Sequence, residues 1–320
     1  MNHFIWTEIY NCGKIGRIAL QSFVNHHPSL KMHVFGFKED FEFIEKSENV
    51  IPIILKENDW LDRLSLTLPE KYETNFFDNR LSHRSITKGF EEGHLGTARL
   101  WAHIIKTRKE KYLVHFDSDV IFLGNIIDEM LELGKQYDLV GPIRNYKNNP
   151  NKIEFFEQFE NLSQTYCFLF NREKIGHFSY KKLVNMCIGR YKKHSVLDFF
   201  DPIMFTILEN KGKIFFLNHD DVGGCDYYGK RDNKFKNINN YETPFKLDYG
   251  NKLSHFSAVG SGMNIYYNRK VNIDAFYREY ALDRYALFCQ IFYNESLGND
   301  LSKYDLLITF FRKNVLPRLT

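Results

Sequence analysis

The chain has 320 residues, of which 43% are hydrophobic and 26% charged, and its formal net charge at pH 7 is +3. This balance is typical of a folded globular protein, and the near-neutral charge argues against a nucleic-acid-binding protein, which would concentrate basic residues on one face. The five cysteines are scattered and odd in number, so they predict neither a disulfide framework nor a zinc site. With no signal-peptide pattern and no membrane-length apolar run, the sequence predicts a cytoplasmic protein.

The first part of the chain alternates between strand and helix patterns. Short apolar runs predict strands at 4–6, 32–37 and 50–55, and apolar residues at helical spacing predict a helix over 15–27. Residues 56–93 are polar and irregular, so we expect an insertion or a loop there. A β-α-β order of this kind favours a parallel sheet covered by helices.

The rest of the chain continues the mixed pattern without a repeat or a Pro- or Ser-rich linker. The further predicted elements are a helix at 96–108, strands at 111–116, 139–143 and 166–170, helices at 180–191 and 201–210, strands at 213–217 and 253–259, and a helical tail from residue 272. We therefore predict one α/β catalytic domain over residues 1–270 and a helical C-terminal extension over residues 271–320.

Two carboxylates follow the clearest strand pattern in the chain. Asp117 and Asp119 come directly after Tyr-Leu-Val-His-Phe and are followed by the apolar run 120–122. Carboxylates separated by one residue at a strand end can hold a hard divalent cation such as Mn²⁺ or Mg²⁺. Such a cation stabilises the negative charge of a departing diphosphate. The alternative is a solvated acidic turn, but the apolar residues on both sides favour the metal site.

A strand that ends in Asp-x-Asp behind a nucleotide-binding half-sheet resembles the GT-A glycosyltransferases. The segment 94–101 precedes the motif as the family's helix does, and Leu-Ser-His-Phe at 253–256 resembles the late strand that carries a further metal-ligating histidine, here His255. The resemblance spans residues 4–263. It implies a GT-A-like fold, with a mostly parallel central sheet and helices on both faces. It also implies a nucleotide-sugar donor, most simply UDP-linked, and a glycan or other hydroxyl acceptor.

The same resemblance suggests where the donor binds. Tyr10 would stack on the base, Thr7 or Asn11 would bond to it, and the small-residue segment 258–262 would form a turn whose N–H groups approach the diphosphate. Each has an ordinary structural alternative: a strand-to-helix turn, a common glycine-rich turn or, for His255, a core histidine. The predicted donor contacts are Thr7, Tyr10, Asn11, Arg99, Ser118, Gly260, Ser261 and Gly262.

An inverting reaction would also need a base for the acceptor hydroxyl, usually a carboxylate. Asp201 is the first candidate and Asp198 the second, although Asp201 before Pro202 also suits a helix N-cap. A retaining reaction would need no such base. The polar, glycine-rich loop at 218–226 is expected to close over the donor and exclude water, and an ordinary surface loop is the alternative.

Two other functions remain open from the sequence. Phe-Asp-Ser-Asp-Val at 116–120 also resembles the nucleophile motif of haloacid-dehalogenase-like phosphatases, with Asp220 and Asp221 as a late metal pair, but that motif normally follows the first strand. A non-catalytic carbohydrate-binding protein is the second alternative. Basic and apolar residues mixed within 304–319 predict at most weak binding to a membrane surface, and a terminal helix docked on the domain is the alternative.

Overall fold

The structure, a computed structural model, describes residues 2–55, 88–145, 161–187, 190–191, 194–195, 200–217, 252–256, 259–267 and 275–319. The α-helices in these ranges are α1 (Gly13–His26), α2 (Lys88–Thr107), α3 (Ile126–Leu133), α4 (Tyr180–Cys187), α5 (Asp201–Glu209), α6 (Val259–Tyr266), α7 (Ala275–Phe292) and α8 (Asp305–Asn314). The strands are β1 (His3–Glu8), β2 (Met32–Gly36), β3 (Val50–Ile54), β4 (Tyr112–Phe116), β5 (Val120–Phe122), β6 (Leu139–Asn145), β7 (Asn161–Ser163), β8 (Cys167–Asn171), β9 (Arg190–Tyr191), β10 (His194–Ser195), β11 (Ile214–Leu217) and β12 (Leu253–His255).

The central sheet has the strand order β11-β6-β8-β4-β1-β2-β3, with β7 attached to β6. Along this path only β8 runs antiparallel to its neighbours, β4 and β6. The prediction of a mostly parallel α/β sheet is therefore confirmed. Two short antiparallel pairs, β9 with β10 and β5 with β12, lie outside this sheet.

Side chains of the central strands alternate between two apolar layers because successive residues of a strand point to opposite faces. Phe4 and Trp6 pack with α2, α4 and α5 on one face, whereas Ile5 packs with α1 and α3 on the other. The predicted covering of both faces by helices is thus confirmed. Burying each such side chain contributes roughly 1.5–3 kcal/mol to stability.

A third apolar cluster packs the C-terminal helices against α1 and β5. Ile15 of α1 and Ile121 of β5 pack there with residues of α6, α7 and α8, including Ile308 and Phe311. The helical tail is confirmed, and α8 is docked on the protein through two of its apolar residues. Among the helices described, none combines the length and the apolar character needed to span a bilayer. The proposed domain boundary at residue 270 falls outside the described residues.

Three predicted boundaries were wrong. α2 begins at Lys88, within the segment that we expected to be irregular, and Arg190–Tyr191, predicted as the end of a helix, form β9. The Cys187 carbonyl oxygen in α4 accepts a hydrogen bond from the Phe200 N–H (3.0 Å). β12 ends at His255, and the small-residue segment after it forms α6 rather than a strand end and a turn. The short elements β5, β7 and α3 were not predicted.

The helical state of the glycine-rich segment 259–262 comes from packing. A Cβ atom added at Gly262 would overlap the carbonyl oxygen of Ala281, so a glycine at this position lets α6 approach α7 closely. Glycine costs about 1 kcal/mol in an isolated helix relative to alanine, and the contact between the two helices offsets that cost here. Local propensity alone could not reveal this contact.

Candidate active site

The predicted metal ligands Asp117 and Asp119 lie on the turn between β4 and β5. The Asp117 N–H donates to the Tyr166 carbonyl oxygen (2.8 Å), and the Val120 N–H donates to the Asp117 carbonyl oxygen (3.1 Å), which closes the turn. β4 and β5 are both fully buried, so their apolar side chains anchor the turn on each side. The turn therefore holds two carboxylates at the carboxyl end of a central strand.

His255 reaches this turn through strand pairing. β12 runs antiparallel to β5 with His255 opposite Val120, and the Phe256 N–H donates to the Asp119 carbonyl oxygen (2.9 Å). His255 Nε2 lies 3.2 Å from Asp119 Oδ1 and 3.9 Å from Asp117 Oδ2. The Tyr166 ring stacks on the imidazole with 4.2 Å between centroids. The structure thus brings together the three side chains that the sequence nominated separately.

The chemistry of this cluster fits a divalent cation. One ligand atom from each of Asp117, Asp119 and His255 lies within 4.8 Å of the others. The pKa of Asp117 is raised to about 6, mainly by desolvation and also by the Asp119 carboxylate, while His115 and His255 oppose the shift. Two neighbouring carboxylates with such a shift are stabilised in their charged form by a cation. The Asp117 side chain is 42% exposed, so an ion can reach the cluster from solvent.

A second polar cluster, not predicted from the sequence, lies beneath Asp117. The Glu8 carboxylate accepts hydrogen bonds from Trp6 Nε1 (2.9 Å) and Trp101 Nε1 (2.6 Å), and its other oxygen lies 2.7 Å from His115 Nε2. His115 Nε2 is also 3.8 Å from Asp117 Oδ1. A histidine inside the apolar strand β4, two residues before the motif, was the available signal in the sequence.

The loop after β1 is organised by a buried acid that sequence reasoning also missed. Asp40 accepts hydrogen bonds from the N–H groups of Asn11 and Gly13, both 3.0 Å, and of Phe37, 2.9 Å. Asn11 has a positive φ of 57°, a conformation that asparagine adopts more readily than most residues. Burial raises the pKa of Asp40, and these three bonds oppose the shift. Asp40 therefore fixes the path of the loop from β1 into α1.

The predicted base-binding residues of this loop have different surroundings. Tyr10 is partly buried and its hydroxyl contacts the Thr97 hydroxyl on α2, while Asn11 is exposed. Thr7 is completely buried, and its Oγ1 has no hydrogen-bond partner within the described part of the chain. Burial, and then the Glu8 carboxylate, raise the pKa of Tyr10 well above its usual value. Their contacts with a nucleotide stay predictions.

The other predicted donor contacts are spread over two elements and the turn. Arg99 is buried on α2, where its carbonyl oxygen accepts a hydrogen bond from the Tyr180 hydroxyl (3.1 Å), and Ser118 is partly buried in the turn. A Cβ atom added at Gly260 would lie 3.2 Å from Cys12 Sγ, so the start of α6 is next to the loop after β1. Ser261 is partly buried, and Gly262 faces α7. The predicted turn of N–H groups is corrected to the first turn of α6.

Asp201, the first candidate for a base, is completely buried in the first turn of α5. The N-cap is Phe200 and not Asp201, which corrects the predicted capping role. Phe200 has a left-handed φ of 70°, and its ring packs on Trp101 and Phe168 at 5.3 and 4.4 Å between centroids. Asp198 and the loop at 218–226 lie outside the described residues.

No protein-family model and no curated protein matches the chain. Solved structures similar to it include the glycosyltransferase GlyE of Streptococcus pneumoniae TIGR4, at 16% identity and a TM-score of 0.37, covering 68% of this chain and 45% of GlyE. An active-site mutant of LgtC matches at 14% identity and a TM-score of 0.42, over 68% and 73% of the two chains. A 4-diphosphocytidyl-2C-methyl-D-erythritol synthase of Anaerococcus prevotii DSM 20548 matches at 10% identity and a TM-score of 0.39, over 68% and 86%.

The chain thus spans less than half the length of GlyE. Two of these three similar structures are glycosyltransferases. A likeness at these scores identifies neither substrate nor reaction, so the function has to be argued from the site.

Proposed function

We propose that the chain is a metal-dependent glycosyltransferase that moves a sugar from a nucleotide-diphosphate sugar, most simply a UDP sugar, to a hydroxyl group of a glycan or another acceptor. The observation that carries this proposal is the cluster of Asp117, Asp119 and His255 at the carboxyl end of β4. In open α/β sheets, ligands bind in the crevice at the carboxyl ends of the strands. The cluster therefore lies where a nucleotide-dependent enzyme of this architecture would bind its donor.

The protein's own groups would hold the cation, Mn²⁺ or Mg²⁺. Asp117 and Asp119 offer the carboxylate oxygens that such hard cations prefer, and His255 offers Nε2. To act as a ligand, His255 must carry its ring hydrogen on Nδ1, which leaves the Nε2 lone pair available. When bound, the cation would neutralise charge on the departing nucleoside diphosphate.

The position of β1 supports the proposed donor contacts. β1 is the parallel neighbour of β4, so the loop after β1 and the Asp117–Asp119 turn lie on the same edge of the sheet. We propose that Thr7, Tyr10 and Asn11 contact the nucleoside from this loop. We further propose that the diphosphate and sugar lie against the remaining predicted contacts, which are Arg99, Ser118, Gly260, Ser261 and Gly262.

The structure does not favour the phosphatase alternative. Within the described ranges, three strands already precede β4, whereas the nucleophile of that family follows the first strand. The acids Asp220 and Asp221, which would complete its metal site, lie outside the described residues. Donor turnover distinguishes the transferase from a non-catalytic carbohydrate-binding protein.

A thermal-shift screen of UDP-, GDP- and CDP-linked sugars with and without Mn²⁺ tests the proposal directly. A true donor at 100 times its Kd stabilises the fold by about 2.7 kcal/mol, because it binds only the native state. We expect the shift for one nucleotide class to require Mn²⁺ and to be accompanied by release of the nucleoside diphosphate. If no nucleotide sugar stabilises or turns over in either condition, the proposal is wrong.

For the acceptor, we propose Asp201 as the base of an inverting reaction, with Asp198 as the second candidate. Asp201→Asn keeps a similar shape, so it should melt near the wild-type temperature, yet removing a general base costs about 100-fold or more in rate. Turnover and melting temperature are measured together. Wild-type turnover in a folded Asp201→Asn protein excludes Asp201, and wild-type turnover in both single variants favours a retaining reaction.

A further inference from the structure

Glu8 is held by donors from three elements. Trp6 on β1, Trp101 on α2 and His115 on β4 all direct a ring nitrogen at its carboxylate, at 2.9, 2.6 and 2.7 Å. The Glu8 side chain is only 8% exposed and His115 is completely buried. A buried carboxylate with three N–H donors is well satisfied, so its position is fixed by the core and not by solvent.

The same bonds also fix the orientation of the His115 ring. Glu8 accepts hydrogen bonds, so Nε2 of His115 must carry a hydrogen. That hydrogen points at the Glu8 oxygen 2.7 Å away. The buried Nδ1 has no hydrogen-bond partner among the described residues.

The ring nitrogen that contacts Glu8 also faces the metal site. His115 Nε2 lies 3.8 Å from Asp117 Oδ1, too far for a hydrogen bond but in contact with the carboxylate edge. The carboxylates of Glu8 and Asp117 are thus separated by a single imidazole nitrogen. In metal sites, partners behind the ligands orient them and add to the field that the cation experiences.

We propose that Glu8 and His115 form a buried positioning pair for the metal site: Glu8 fixes the His115 ring, the ring supports the Asp117 carboxylate, and Glu8 adds a negative charge behind it. This inference rests on the proposed function, because it requires that Asp117 ligates a cation. Neither residue touches the cation or the donor, so both act through Asp117. The two indoles keep the pair rigid.

Isothermal titration of the purified full chain with Mn²⁺ tests the pair. In Glu8→Gln the shape is kept and the charge is lost, so we expect Mn²⁺ affinity to fall about 10-fold, the lower end for a residue behind a metal ligand. Glu132→Gln is the matched control, since it makes the same exchange at an exposed position on α3. It should leave the Mn²⁺ affinity equal to that of wild type.

A second measurement needs no variant. In the ¹⁵N-histidine-labelled wild-type protein, His115 should carry a hydrogen on Nε2, and Mg²⁺, which is diamagnetic, should shift its Nε2 resonance. Equal Mn²⁺ affinity in folded Glu8→Gln and wild type, or a His115 resonance insensitive to Mg²⁺, would overturn the inference alone. If wild-type protein binds neither ion, the metal site of the proposed function is absent and the inference falls with it.

Discussion

Two pairs of carboxylate and imidazole lie next to Asp117, one near each of its carboxylate oxygens, and they differ in how their polar groups are satisfied. In the inner pair, Glu8 and His115 are buried, and the carboxylate accepts hydrogen bonds from two further indole N–H groups. In the outer pair, Asp119 and His255 lie 3.2 Å apart beside a second carboxylate that is 42% exposed. The inner carboxylate therefore has its hydrogen bonds supplied by the protein, whereas the outer pair lies beside a second carboxylate of the same charge.

The difference separates a structural role from a binding role. A carboxylate surrounded by donors stabilises the fold, because every hydrogen bond it needs is supplied by the protein. Two adjacent carboxylates that share one imidazole do not stabilise each other, and natural proteins keep such local conflicts at functional sites. This contrast supports the proposal that the outer pair binds a ligand from solution and that the inner pair holds the outer one in place.

The largest expected effect comes from breaking the outer cluster. Asp119→Asn removes a charge from the carboxylate nearest to His255, so we expect Mn²⁺ affinity to fall more than about 100-fold, beyond the range typical of residues behind a ligand. Transfer should become undetectable while the protein still folds. Asp305→Asn, an exposed acid on α8, is the control for a lost charge away from the site. Mn²⁺ binding retained in Asp119→Asn would remove the basis of the metal site.

The second prediction is a pH-dependent difference in stability between the two clusters. The folded-state pKa of Asp117 is about 6, above its ordinary value of 3.8, so ionisation of this group disfavours the metal-free fold. That destabilisation is fully present above pH 6 and disappears as the pH falls through 6 to below 3.8. Asp117→Asn should therefore melt at a higher temperature than wild type at about pH 8 without metal, and at the same temperature near about pH 3.5.

Glu8→Gln should change stability in the opposite direction at about pH 8, because it replaces a satisfied acceptor with an amide whose NH₂ group faces His115 Nε2–H. Calorimetric melts of the two variants and wild type, in a chelating buffer from about pH 8 to about pH 3.5, check both signs. Lower melting temperatures for both variants at the alkaline end would show that the outer cluster is also a stabilising network.

The smallest expected effect concerns the ring behind His255. Tyr166 stacks on the imidazole at 4.2 Å, and aromatic contacts of this kind contribute about 0.5–1.5 kcal/mol. Tyr166→Leu should weaken Mn²⁺ binding about 2- to 10-fold, since about 1.4 kcal/mol corresponds to a factor of ten. Tyr166→Phe keeps the stack and should bind like wild type. Equal weakening by both variants would assign the effect to the hydroxyl and not to the ring.

Several features of the fold and site could be predicted because they are local in the chain. Apolar runs and helical spacing marked most of the central strands and helices, and the placement of Asp117 and Asp119 after an apolar strand is the basis of the proposed cation site. The segment 259–262 was predicted wrongly because its conformation depends on a contact with residues far away in the chain. Its glycines read as a turn, whereas close packing of Gly262 against Ala281 makes a helix there.

By itself, the sequence determined the α/β class, the covering helices and the acidic motif, because periodicity and residue type are properties of neighbouring positions. Only the tertiary structure decided which distant residues meet that motif. The register of β12 on β5 brings His255 to Asp119, and the register of β1 on β4 sets Trp6 opposite His115. Strand register depends on packing between segments far apart in the chain, so no local pattern could show that Glu8 lies next to His115 and close to Asp117.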